Sequence, residues 1–356
     1  MAARRRLSPM GTDPPRGPVM PRCRAFAATL RPVAMDVDVM VPAYGDGPLV
    51  REAINSVLAQ DDKHWRLTVI DDAAAIEHGE LEQWLAGLGD SRVRYLANPQ
   101  RLGINRNFQR CADESTADWV VILGADDRLL ASFISRVRKY TTEFPDAAWI
   151  HTGARIIDDA GQPHMPMADR VKHRTMPPIG EHRVIAGEEL AVSLLKGNWM
   201  YFPSCAFQRT MLQKTGFRPG YDIVLDLDLY LRLLLDGGTC ILLEQPGIEY
   251  RRHAASLSST GAHDGSRFAE ENAYFDKMAA AMTEAGWPRA ARAARWHWTS
   301  RMHAAAKIPS LLLARNWRGA AAMVRVSTAR SGRATPNSTL LAAAPGSATR
   351  PGSARR

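Results

Sequence analysis

Trp119-Val-Val-Ile-Leu-Gly-Ala-Asp-Asp127 is an unbroken apolar run that stops on two adjacent carboxylates. A continuous rather than alternating run is what a strand covered on both faces requires, and such strands belong to parallel sheets wrapped by helices. Upstream, Val37, Val39, Met40 and Val41 form a similar run stopped by Pro42. Pro48 then stands where a first helical turn tolerates it, and Val50, Ile54, Val57 and Leu58 mark one helical face. Arg66-Leu-Thr-Val-Ile70 reads as a second strand ending on Asp71-Asp72, and a third is expected over residues 92–96. A helix starting near Gly103 carries Phe108, Cys111 and Ala112. The alternation predicts an α/β fold, a mainly parallel sheet flanked by helices.

In such sheets ligands bind beyond the carboxyl ends of the strands. Tyr44 follows the first strand, Asp71-Asp72 the second and Asp126-Asp127 the fourth. Acids distant in sequence are therefore expected to meet on one edge. Adjacent carboxylates suit a hard divalent cation, which prefers oxygen ligands and shares them with phosphate; alone, the pair also fits a turn or a helix cap. Past residue 145 the pattern is mixed: a strand over 148–151, a polar loop with Pro163, Pro166, Pro177 and Pro178, a helix over 188–195 and a strand over 240–243. A further helix over 226–235 contains Asp226 and Asp228, costly in so apolar a run unless they line a site or pair with Arg232. Two residues apart, they cannot share a helical face. Residues 267–326 read as an Ala- and Arg-rich helical segment broken by Pro288 and Pro309.

The chain has 356 residues, a formal charge of +9 and 46% hydrophobic residues, enough to bury a core, which excludes a wholly disordered protein. The excess charge lies at the ends: residues 1–34 carry +6 and residues 327–356 carry +5, which leaves −2 for residues 35–326. Nucleic acid is therefore not an expected partner. Both ends have the composition of disordered tails, and Met35, just before the first strand, is an alternative start. No run approaches the roughly 20 apolar residues of a membrane span, so no transmembrane segment is expected. Cys23, Cys111, Cys205 and Cys240 are too widely spaced for a disulfide scaffold, which points to the cytoplasm. Trp296 and Trp298 flank His297 with Arg292, Arg295 and Arg301 nearby. Such a helix could touch a membrane surface or pack on the domain.

Several segments, in order, resemble the family 2 glycosyltransferases of the GT-A fold. Val39-Met-Val-Pro-Ala-Tyr44 resembles the family's opening strand, Ser56-Val-Leu-Ala-Gln60 its S-V-L-A-Q helix end, and Leu67-Thr-Val-Ile-Asp-Asp72 its V-V-D-D. Leu102-Gly-Ile-Asn-Arg-Asn107 resembles G-x-x-x-A-R-N, and Val121-Ile-Leu-Gly-Ala-Asp-Asp127 stands where L-D-x-D-D belongs. Asp226-Leu-Asp-Leu-Tyr-Leu-Arg232 resembles D-x-D-L-x-L-R, and Glu249-Tyr-Arg-Arg-His253, with Ser256 and Ser258, resembles Y-R-x-H-x-x-S-x-S.

The resemblance implies a GT-A domain over residues 35–263 and a helical appendage over 264–326, between basic tails at 1–34 and 327–356. It implies an inverting transfer from a nucleoside-diphosphate sugar, UDP- or dTDP-linked, to a hydroxyl or amine. Pro42, Tyr44, Asp71, Arg101, Arg106, Asn107, Asp126 and Arg251 would bind the nucleotide sugar. Asp126, Asp127 and His253 would hold Mn²⁺ or Mg²⁺, and Asp226 would be the general base. The acceptor is a glycan, a lipid-linked molecule or a small molecule, with loops 158–187 and 197–204 as its expected contacts. Peripheral attachment to the inner face of a membrane, through the tails or the C-terminal helices, is compatible with this reading.

The chain departs from the family pattern at Gly124, in place of the triplet's first Asp, at Leu225, in place of a Glu, and at Ala73-Ala74, in place of Gly-Ser. Two other classes remain open. A sugar nucleotidyltransferase would need a glycine-rich triphosphate loop, of which Tyr44-Gly-Asp-Gly-Pro48 is a poor version. A non-catalytic GT-A-like binding protein is the other. A dinucleotide dehydrogenase is disfavoured because Gly45-x-Gly47 lacks the third glycine.

Overall fold

A computed structural model describes residues 36–72, 79–252, 266–313 and 315–328. The chain divides into Met1–Ala34 and Met35–Arg356, and every described residue lies in the second unit. Among the described residues nine strands form one sheet: β1 (Val37–Ala43), β2 (Trp65–Asp71), β3 (Val93–Ala97), β4 (Trp119–Ile122), β5 (Arg128–Leu129), β6 (Trp149–Ile157), β7 (His182–Ala186), β8 (Cys205–Gln208) and β9 (Thr239–Arg251). Their order is β3-β2-β1-β4-β8-β6-β9-β5, with β7 also on β9.

The sheet is mixed. Its first half, β3-β2-β1-β4, is parallel throughout, while β8 runs antiparallel to both β4 and β6. β9 is parallel to β6 and antiparallel to β5 and β7. The continuous apolar runs are explained by cover on both faces. Met40, Ile70, Val120 and Ile122 belong to one core, with the helices Ile104–Glu114, Gly187–Lys196 and Leu225–Leu235. Val39, Val41, Val69 and Val121, one residue out of phase, belong to the other, with Pro48–Leu58 and Phe133–Glu143.

The C-terminal segment is not of one kind. In the helix Ser266–Glu284, Tyr274, Phe275, Met278 and Met282 enter the first core, as do Ala290, Ala291 and Ala294 of the helix Pro288–Trp296. The helices Trp298–Leu313 and Trp317–Thr328 instead share a small core of their own around Ala304 and Met323. Of the sequence expectations, the two tails up to Ala34 and from Ala329, Cys23, Ala73-Ala74, His253, Ser256 and Ser258 lie outside the described residues.

Candidate active site

The strand order β2-β1-β4 sets the site. Ala43 pairs in register with Asp71, and Leu123 N–H donates to Met40 O at 2.8 Å, so Asp71 and the Gly124–Asp127 turn leave the sheet on either side of Tyr44. Asp71 is buried and accepts from Gly45 N–H at 3.3 Å and from Tyr95 Oη at 3.0 Å. Burial, and then Asp71 itself, push the Tyr95 phenol up, so Tyr95 stays a donor. Tyr44 is 64% exposed, and the Arg101 guanidinium lies 4.7 Å from its ring centroid. Pro42, Tyr44, Asp71 and Arg101 are thus gathered at one strand end.

Asp72 does different work. It accepts from Asn98 Nδ2 at 2.7 Å, Leu102 N–H at 2.7 Å and Gly103 N–H at 2.8 Å, which ties the loop before the helix Ile104–Glu114 to β2. Asn107 is buried in the same network: its Oδ1 accepts from Asn98 at 3.1 Å and its Nδ2 donates to Ile70 O at 3.4 Å. That places Asn107 behind the edge as a support, while Arg106, on the same helix, is exposed.

At the β4 turn, Asp126 is partly exposed and Asp127 buried. Burial and the neighbouring Asp126 push the Asp127 carboxyl well above the usual range, against the Arg251 N–H that donates to its Oδ1 at 2.9 Å. Arg251 was expected to contact the donor, but its guanidinium is turned inward. It donates to the main-chain carbonyls of Asp126 (2.9 Å), Asp158 (3.2 Å) and Asp159 (2.9 Å) and pairs with Glu52 at 2.7 Å. Its place is to brace the acidic turn. Among the described residues no group of three or more His, Cys, Asp and Glu is arranged to hold a metal ion, and His253 lies outside them. Asp126 and Asp127 are carboxylate oxygen donors, the kind that a hard divalent cation takes.

Asp226 and Asp228 separate as their spacing requires. Asp228 is buried, bonded to Arg232 Nε at 2.7 Å one turn on, and approached by Arg218 at 3.5 Å. Asp226, in the first turn of Leu225–Leu235, accepts from Asn198 Nδ2 at 2.9 Å and from Leu227 N–H at 2.7 Å. Burial pushes its carboxyl up, with Asn198 and the Lys172 charge opposing, which makes it a stronger base than an ordinary carboxylate. Tyr250 feels the field of both acidic groups: burial raises its phenol first, Arg252 opposes, and Asp127, Asp126 and Asp226 add to the rise.

Beside this lies a cavity of about 100 Å³ whose lining includes His151, Lys172, Trp199 and Tyr201. Tyr201 Oη donates to Asp169 at 2.8 Å, and Asp169 also binds Arg252 at 2.7 Å. His151 is buried and pushed down to about 3 by desolvation, hence neutral. The segment 158–187, expected as a loop but carrying the helix Met167–Thr175 and β7, and the loop 197–204 supply half of this wall. Sequence reading missed Asn198, Lys172, Tyr250 and Glu270; the last accepts from Ile223 N–H at 2.9 Å and Val224 N–H at 3.1 Å, just ahead of Asp226. The expected acceptor loops 158–187 and 197–204 contain Lys172 and Asn198, and the Y-R-x-H segment contains Tyr250, but nothing in the sequence pointed towards Glu270.

Comparison with known proteins gives the family and the fold. The family model described as glycosyl transferase family 2 matches residues 38–216, half of the chain, and the chain belongs to that family. It is a glycosyltransferase. It is 24% identical over 251 residues to the uncharacterized protein MT1568 of Mycobacterium tuberculosis, a match that covers 68% of this chain and 75% of that protein. A second relative is the GalNAc(5)-diNAcBac-PP-undecaprenol beta-1,3-glucosyltransferase of Campylobacter jejuni, 29% identical over 108 residues, 30% of this chain and 35% of that one. Among solved structures, S. aureus TarS superposes with a TM-score of 0.54 at 11% identity, over 83% of this chain and 81% of that chain, a likeness of fold. Asp226 lies beyond the residues that the family model matches.

Proposed function

We propose that this glycosyltransferase inverts: it moves a sugar from a nucleoside-diphosphate sugar to an acceptor hydroxyl or amine in one displacement. The observation that carries the reading is Asp226, a carboxylate made more basic by burial, held by Asn198 and sharing Tyr250's surroundings with the Asp126–Asp127 turn. Asp226 takes the acceptor proton as the acceptor oxygen attacks the anomeric carbon. The bond from that carbon to the diphosphate oxygen breaks, and the diphosphate leaves with the electron pair. No protein nucleophile is needed, and a single displacement inverts the anomeric centre.

Asp126, with Asp127 behind it, would hold Mn²⁺ or Mg²⁺, whose charge would neutralise the departing diphosphate. Tyr44 and Arg101 supply a flat surface for the nucleobase, and Asp71 an acceptor for its imide N–H, which favours a uridine or thymidine donor. The acceptor, whether glycan, lipid-linked or a small molecule, would enter along Trp199 and Tyr201. Three buried free cysteines, Cys111, Cys205 and Cys240, support a cytoplasmic setting.

The test is a mass-spectrometric screen of the purified protein against a panel of sugar nucleotides with Mn²⁺ or Mg²⁺, followed by NMR of the product's anomeric proton. Donor consumption with inverted product is expected. A retained anomeric configuration would remove Asp226 from this role, and a nucleoside triphosphate consumed in place of any donor would favour a nucleotidyltransferase.

A further inference from the structure

The charge of this chain is polarised along its length. Residues 35–284 carry a net −10, whereas residues 285–356 carry thirteen Arg and Lys and neither Asp nor Glu. The near-neutral average of the central region conceals this division.

The described part of the acid-free segment also displays apolar side chains. The helix Pro288–Trp296 packs Ala290, Ala291 and Ala294 inward and leaves Arg292, Arg295 and Trp296 exposed. His297 follows with φ 22°, buried, stacked on Phe275 at 4.8 Å between centroids, and with Nε2 3.1 Å from Asn272 Oδ1. Anchoring this one residue leaves a tryptophan outside on each side of it, Trp296 at 63% and Trp298 at 42% exposure. In the helix Trp298–Leu313, Ala304, Ile308 and Leu311 face Met323 and Val326 of the neighbouring helix. Trp298, Met302, Ala305, Pro309 and Leu312 recur at four- and three-residue steps and so share another face, and all five are exposed. Leu313, four residues after Pro309 and 87% exposed, shares it, and Trp317, 66% exposed, opens the next helix.

We propose that this face docks on the surface of an anionic phospholipid bilayer. Tryptophan settles at the headgroup level, the aliphatic residues enter the acyl boundary, and the surrounding Arg and Lys meet lipid phosphates. No helix among the described residues is long and apolar enough to cross a membrane, so the contact is peripheral. Charge and apolarity together select the occupant. A nucleic acid would match the charge but leave Leu312 and Leu313 in water, and a second copy would bring two acid-free segments together. The proposal stands independently of the catalytic reading.

Sedimentation of the full-length chain with phosphatidylcholine vesicles, with and without phosphatidylglycerol, tests it. Three proteins are compared: wild type, an apolar variant (Trp296→Ala, Met302→Ser, Leu313→Ser, Trp317→Ala) and a charge variant (Arg292→Glu, Arg315→Glu, Arg325→Glu). All of these side chains are exposed, and thermal midpoints check that folding is intact. Wild type should bind only the anionic vesicles, and each variant should bind them about tenfold or more weakly. Brominated acyl chains should quench the wild-type tryptophan emission. Absence of binding to anionic vesicles, or equal binding by the apolar variant, would overturn the proposal. A soluble dimer that the apolar variant dissolves, without vesicle binding, would give the face to a second copy and overturn it too.

Discussion

The Asp127 carboxylate occupies the space that a side chain at position 124 would need. A Cβ on Gly124 would overlap Asp127 Oδ2 and stand 3.1 Å from Asp126 Oδ1. The missing first acid of the triplet is therefore tied to the conformation of the last one. Arg251 N–H holds Asp127 inward at 2.9 Å, and glycine at 124 is what makes room for it. Gly124→Asp should then overpack the turn and destabilise the protein by about 1–3 kcal/mol in urea unfolding. In an Asp127→Ala background the same change should cost less, since the two positions compete for one space. Equal costs in both backgrounds would show that they are uncoupled.

Asp127 also sets a pH dependence of stability. Its carboxyl titrates well above the ordinary value because burial and Asp126 disfavour the ionised form. The folded chain keeps this proton to a higher pH than the unfolded chain does. The contribution is complete below the unfolded value of about 4 and is lost as pH rises towards the folded one. Asp127→Asn keeps an acceptor for Arg251 N–H and removes the charge. With a chelator present, its urea midpoint should fall less between pH 4 and pH 8 than that of wild type. Parallel curves would place the dependence elsewhere.

The parallel half of the sheet was legible because β1, β2 and β4 are mainly apolar and buried on both faces, each followed by a polar stop, while β3, less buried at the sheet edge, was expected from its place in the alternation. The other half was harder to read. β9 passes through Glu244-Gln245-Pro246-Gly247, which has the composition of a turn, so the strand over 240–243 and the Y-R-x-H segment from Glu249 were not expected to be one strand. Gly247 lies against Thr152 of β6 and Phe133, where any Cβ would collide, and the pairing of β9 with β6 shifts register between His151 and Ala154. β8 is four residues long and carries little pattern of its own. The acids of the site were legible from their places at strand ends. Their partners come from a loop (Asn198), from the helix Met167–Thr175 between β6 and β7 (Lys172) and from a helix after the sheet (Glu270), where spacing carries no information about contact.

Asp226 and Asn198 give the prediction closest to the chemistry. Asp226→Asn should lower turnover by roughly 10²-fold or more, as loss of a general base does, with donor affinity retained. Asn198→Ala should act differently. Its amide holds the Asp226 carboxyl down against burial, so removing it lets that carboxyl titrate higher. The acid limb of the pH–rate profile should move to higher pH. Turnover at pH 6 should fall about tenfold, the worth of a hydrogen bond to a charged group, and less at pH 8. An unmoved limb would mean that another group controls it.

Asp126 should report on the cation. Asp126→Ala should weaken Mn²⁺-dependent donor binding in calorimetry by about tenfold, while binding of the donor with a chelator present changes little. Unchanged affinity with Mn²⁺ present would separate the turn from metal binding.

Glu270 ties a C-terminal helix to the base. Its carboxylate accepts the Ile223 and Val224 N–H groups at 2.9 and 3.1 Å, immediately before the helix whose first turn carries Asp226. These are amides that a helix start leaves without intrahelical partners, so Glu270 caps that helix from another element and favours its positive end. Glu270→Ala should cost about 1 kcal/mol in unfolding, as cap removal does. It should also lower kcat more than it changes the KM for donor, because the displaced group is the base. Glu270→Gln retains a carbonyl acceptor and should recover most of both. If Glu270→Ala is destabilised but turns over as wild type does, the helix holds Asp226 without this cap, and Glu270 is structural alone.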